Sequence, residues 1–180
     1  SVKDVSRTDG YFSNAVIKIL LPEDIQRVAN VLSQIGFKKE VDNFILSMNR
    51  AAEKAAPMAT SIFLDAIKSM TIEDAIGILN GGDTSATDFF KKKTTDKLYN
   101  SFKPIISDSM QKVGTVNSYK ELTKGIESIP FIEHKSLDIE HYVTKKALDG
   151  LFYMVGEEEK KIRTNPAARV TDLLKTVFGK

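Results

Sequence analysis

Asn49 and Glu53 stand one helical turn apart inside "ILSMNRAAEKAAP", residues 45 to 57, a largely apolar stretch rich in alanine. A buried amide beside a carboxylate can orient the polar end of a ligand, and a carboxylate can also serve as a general base. On a wheel of roughly 100° per residue, Val41, Phe44, Met48, Ala51, Ala52 and Ala55 share one broad face. Asp42, Leu46, Asn49 and Glu53 form the adjacent stripe at i, i+4, i+7 and i+11, with Arg50 and Lys54 beyond it. Alanine lets a neighbouring helix approach closely, which would draw the stripe under cover. A polar group buried there without a partner costs roughly 1–3 kcal/mol, so partners are required. Two readings follow. Asn49 and Glu53 are rim residues at a helix junction, or they anchor a ligand in an apolar cavity, together with Arg50 and with Met48 and Phe63 among the walls.

The other chemical groupings are weaker. "EHKSLDIEH", residues 133 to 141, gathers both histidines with Glu133, Asp138 and Glu140, but the spacing fits no zinc or metalloprotease motif. His141 shares the azimuth of Leu148, Phe152 and Val155, so a half-buried, hydrogen-bonded histidine is expected. "NGGDTSATDFFKKKTT", residues 80 to 95, places glycines before a helix, yet lacks the GK[ST] ending of a phosphate loop and carries Asp83 where an anion would sit. Lys91, Lys92 and Lys93 then read as a solvated face. No GxSxG elbow is present. A hydrolase or metal enzyme would need His141 or Glu53 in a cleft with a perturbed pKa. No cofactor and no metal is expected.

These residues need a scaffold, and the totals bound it. A chain of 180 residues with 42% hydrophobic and 28% charged residues can bury one core as a single domain. The net charge of +2 gives no general pull toward nucleic acid or anionic lipid. Cysteine is absent, which excludes disulfides, thiolate nucleophiles and cysteine-based zinc sites. The longest apolar run, residues 15 to 22, is interrupted by Lys18 and too short to span a bilayer.

Periodicity is helical almost throughout, giving an all-α, irregular bundle of roughly seven or eight helices in one domain. Residues 1–21 form a short extended N-terminal segment packing on a helical domain of residues 22–180; within it only "YFSNAVIKILLP" reads as extended. Pro22 and Glu23 open a helix that Gly36 terminates; the next spans about 38 to 56, and Pro57 precedes a third with Ile62, Phe63, Ala66, Ile67 and Met70 on one face. Thr71 and Asp74 make a capping box for a short helix ending at residues 80–82. Pro104 predicts a break or kink near Lys103. A helix over about 116–126, a long one capped by Asp138, and a last one opened by Asn165–Pro166 complete the set.

Read together, "DGYFSNAVIKILLP", "LSMNRAAEKAAP", "MTIEDAIGILNGGDTSATDFFKKKT" and "YVTKKALDGLFYMVGEEEKKIRTNPAARVTDLLKTVFG" are more specific than generic helices. In this order they resemble the bacterial domain-of-unknown-function family 4197 over nearly the whole chain. The resemblance implies a small helical protein of the periplasm or cell envelope from which a leader has been removed; Ser1 fits such a trimmed start. It implies no activity and carries over no site residue. Asn49, Arg50, Glu53, Asp65, Asp149 and Arg169 lie within the matching pieces. Two functions stand open: non-catalytic binding of a small hydrophobic molecule in an internal cavity, or an envelope module that binds another protein through an exposed apolar patch larger than a few hundred Å².

Overall fold

Every strong apolar periodicity in the described chain becomes a helix. A computed structural model describes residues 1–112 and 138–165. The helices are α1 (Val2–Ser6), α2 (Glu23–Leu32), α3 (Lys38–Ala55), α4 (Ala59–Lys68), α5 (Ile72–Asn80), α6 (Ser85–Lys112) and α7 (Ile139–Thr164). Among the described residues there is no strand. The expected helices over 116–126 and beyond Pro166, with Glu133, His134 and Arg169, lie outside those residues.

α6 is the central element, with α3, α4, α5 and α7 all packed on it. Leu98, Phe102, Ile106 and Met110 recur every fourth residue along it and are fully buried. That row explains why Pro104 does not break the helix as expected. The helix runs unbroken from Ser85 to Lys112 with Pro104 on its exposed side. Proline in a helix interior costs about 3 kcal/mol, which burial of four large side chains, at about 1.5–3 kcal/mol each, outweighs.

Ala51, Ala52, Ala55, Ala56 and Ala59 are all fully buried, and form the close seam that the alanine-rich stretch implied. Between α2 and α3, Ser33–Phe37 widens into a π-turn. Gly36 there takes φ +106°, open to glycine at little cost, so it marks a junction and the chain turns straight into α3.

The N-terminal segment is less extended than expected. Residues 2–6 are helical and residues 8–13 and 15–17 form turns; 18–22 is the one run of several residues free of helix or turn. Local bonds account for this: Asn14 Oδ1 accepts from the backbone N–H of Val16 (3.0 Å) and Ile17 (3.4 Å). The segment lies close against α7. A Cβ on Gly150 would sit 2.7 Å from Tyr11 Cε1 and 3.1 Å from Ile17 Cβ.

Candidate functional site

α3 carries the polar stripe, of which Asp42 is exposed, Leu46 half-buried, and Asn49 and Glu53 inside. Asn49 is 0% exposed and Glu53 4%. Both reach across to the N-terminal segment. Asn49 Oδ1 accepts from Ile19 N (2.8 Å), while Asn49 Nδ2 donates to the carbonyls of Ile19 and Ile45 (2.8 Å each). Glu53 Oε1 accepts from the successive backbone N–H groups of Tyr11 (3.1 Å) and Phe12 (3.2 Å). Its other oxygen accepts from Arg50 Nη1 (2.7 Å), and Arg50 Nη2 donates to Asp9 Oδ1 (2.6 Å).

These bonds place the carboxylate and the amide where they satisfy backbone that forms no regular structure of its own. Tyr11 completes the clamp. It is fully buried, and its hydroxyl donates to the Ala147 carbonyl of α7 at 2.6 Å. Burial first, and then the adjacent Glu53 carboxylate, push the Tyr11 phenol well above its usual range. The structure thus joins Asn49, Arg50 and Glu53 with Asp9, Tyr11, Phe12 and Ile19. Met48 is fully buried in the core; Phe63 instead meets Phe90 (ring centroids 5.0 Å) and Phe152 (6.1 Å).

A second clamp escaped the sequence. Glu159 of α7 is buried and accepts from Ala86 N, Thr87 N and Thr87 Oγ1, each at 2.8 Å, capping the first turn of α6. Arg163, one turn on, donates to it from Nε (3.0 Å) and Nη2 (2.8 Å) and also bonds the Ile78 carbonyl of α5 (2.6 Å). Burial pushes the Glu159 carboxyl upward, but the Ala86 and Thr87 amides, the Thr87 hydroxyl and Arg163 together hold it below its usual range. One signal was present: Glu159 continues the row Leu148, Phe152, Val155 at helical spacing.

His141 is exposed, contrary to the half-buried position expected from its azimuth, while Ile139 and Val143 on the same turn are the residues buried there. Its Nδ1 shares a 2.6 Å hydrogen bond with Tyr99 Oη. Asp65 and Asp149 are exposed. Among the described residues no group of three or more His, Asp or Glu is placed to hold a metal, and no buried side-chain N or O lacks a partner.

The unusual surface belongs to α5. The Thr71–Asp74 capping box forms as expected, with Thr71 Oγ1 accepting from Asp74 N (3.0 Å) and Asp74 Oδ2 from Thr71 N (3.1 Å). The helix is mostly apolar, yet none of its nine residues is buried. Asp74, Gly77 and Ile78 line the cleft toward α6. Ile72, Ile76 and Leu79, at i, i+4 and i+7, fall on the opposite side of the wheel and are 80%, 52% and 43% exposed. On α4, Leu64 and Ile67 are each half exposed, Ile67 against the expectation that it joins Phe63 and Ala66 on the inner face.

Fold and clamps together define a small all-α domain whose polar interior is structural and whose apolar residues are partly turned outward. The model of the protein family of unknown function DUF4197 matches residues 1–179, and the chain belongs to that family. Comparison with curated proteins and with solved structures returns no match. Among the described residues no helix is long and apolar enough to cross a membrane.

Proposed function

We propose that this protein is a non-catalytic interaction module that binds another polypeptide through the outward face of α5. One observation carries the reading: Ile72, Ile76 and Leu79 form an apolar row directed away from α6, on a helix with no buried residue. A nine-residue helix is marginal by itself and normally gains stability by covering its apolar face. Here the face left uncovered is the apolar one. Rows at i, i+4 and i+7 are how helices present anchors to a partner groove or helix.

The small-molecule reading has less support. Its intended anchors, the Asn49 amide and the Glu53 carboxylate, already bond the backbone of residues 11, 12, 19 and 45 and the Arg50 guanidinium. The envelope setting belongs to this proposal and rests on the family resemblance.

Because the chain has no cysteine, a photo-crosslinker can be attached at a single site, through Ile76→Cys or, as a control on an exposed stretch of α6, Lys97→Cys. The reading expects polypeptide adducts from position 76 and not from 97. Equal labelling at both positions, or none at 76, overturns it.

A further inference from the structure

We infer that the groove between residues 16–20 and α7 binds an extended, acidic peptide segment, which pairs as an added strand with the free edge of Lys18 and Leu20. This site is separate from the face of α5 and does not depend on it.

The backbone names the class of occupant. Burial alternates along the run 18–22, with Ile19 and Leu21 buried, Lys18 half-buried and Leu20 exposed, and Pro22 closes it at φ −55° and ψ 147°. Such an extended chain directs the N–H and C=O of successive residues to opposite edges. Ile19 bonds Asn49 of α3 through both of its groups, so that edge is satisfied. Lys18 and Leu20 face the other edge, toward α7, where the Tyr142 hydroxyl donates to the Leu20 carbonyl (2.9 Å). The Lys18 C=O and the Leu20 N–H on this edge bond no described residue. They form an acceptor and a donor two residues apart, the pair that an added strand of either direction uses. A groove between a strand edge and a helix is a recurring seat for extended peptides.

The side chains supply selectivity. The groove encloses about 340 Å³, within the range of about 300–1,000 Å³ found for ligand clefts. Lys18 and Lys146 line it, with Asp149 the single carboxylate. Neither ammonium is paired with an acid of the described residues; Lys18 lies over the Phe12 ring at 4.0 Å and Lys146 over the Tyr142 ring at 5.8 Å. The groove is therefore cationic and suits a carboxylate on its occupant. Leu20 and Tyr153 add exposed apolar surface beside it. Side chains on one face of paired strands meet at two-residue spacing. An acid set beside Lys18 thus brings an apolar residue two positions away beside Leu20.

The end-capped peptide TVTETVT carries that pattern in both directions and serves as the probe, with TVTKTVT as its charge-reversed control. Added to the intact, isotope-labelled chain, TVTETVT should shift the Leu20 amide resonance and saturate below about 1 mM, while TVTKTVT binds about tenfold more weakly. Methylating every backbone nitrogen of TVTETVT should abolish binding, because the added strand then has no N–H to give. Lys18→Glu, with unchanged helical circular dichroism, should reverse the preference between the two peptides. No saturable shift by TVTETVT, equal binding of both peptides, undiminished binding of the methylated form, or a preference that Lys18→Glu does not reverse overturns the inference. Acetate alone reproducing the Leu20 shift would reduce the groove to an anion site and overturn it too.

Discussion

Glu53 and Glu159 repeat one arrangement at two places in the fold. Each is a buried glutamate on a long helix, each accepts from two successive backbone N–H groups of a distant segment, and each is gripped by an arginine one turn away. Glu53 holds the turn at Tyr11 and Phe12; Glu159 holds the start of α6. The repetition shows what these acids do. They satisfy backbone that has no partner in its own element, and so fasten separate parts of the chain to α3 and α7.

The first clamp separates shape from charge. Glu53→Ala removes the acceptor for two buried amides and the partner of Arg50, and should cost about 2–4 kcal/mol. Glu53→Gln retains an acceptor for Tyr11 and Phe12 but replaces the ion pair with an amide NH2 beside a partly exposed arginine that can turn to solvent, so about 1 kcal/mol is expected. Urea unfolding of the two variants measures both. Equal losses would mean that the ion pair, not the amide bonds, holds the segment.

Asn49 needs both ends of its amide. Asn49→Asp keeps the acceptor for Ile19 N but sets a carboxylate oxygen against the carbonyls of Ile19 and Ile45. It should destabilise more than Asn49→Ala, which should cost about 1–3 kcal/mol. Amide exchange at Ile19 should accelerate in both variants relative to amides in α6. An unchanged Ile19 rate would show that its N–H does not depend on Asn49.

Glu159 sets a pH dependence of definite sign. Its carboxyl is held below the usual value of 4.5, so its contribution to stability is present above that pH and is lost as pH falls through the lower folded-state value. Unfolding free energy measured at descending pH should therefore drop more steeply in the native chain than in Glu159→Gln. Parallel curves would remove Glu159 from the acid response.

The alanine seam should resist enlargement. Ala52 is fully buried in α3, and Ala52→Leu should cost about 1–3 kcal/mol through overpacking. A thermal unfolding midpoint unchanged by the substitution would mean that slack exists beside it.

Much of this was legible where the determining contacts are local. The Thr71–Asp74 box, the Asp138 cap, whose Oδ1 accepts from His141 N at 2.9 Å, and the buried alanine face of α3 all follow from neighbours within one or two turns. What Asn49 and Glu53 bond was not legible, because their partners lie 30 to 42 residues away. Glu159 sits among charged residues in "GEEEKKIR", and its partners at Ala86 and Thr87 are more distant still. Pro104 does not break α6 because the local helix cost is outweighed by a buried row along it. Spacing at i, i+4 and i+7 sets Ile72, Ile76 and Leu79 on one side of α5, but it says nothing about which way the fold turns that side.

That orientation is the point on which the functional reading stands, and Ile76→Lys tests it most directly. At concentrations too low for association, the account predicts unfolding free energy within about 0.5 kcal/mol of the native chain, as for an ordinary surface change, while polypeptide binding is lost at higher concentration. A variant that unfolds in dilute solution would place Ile76 in the interior of the monomer and contradict the account.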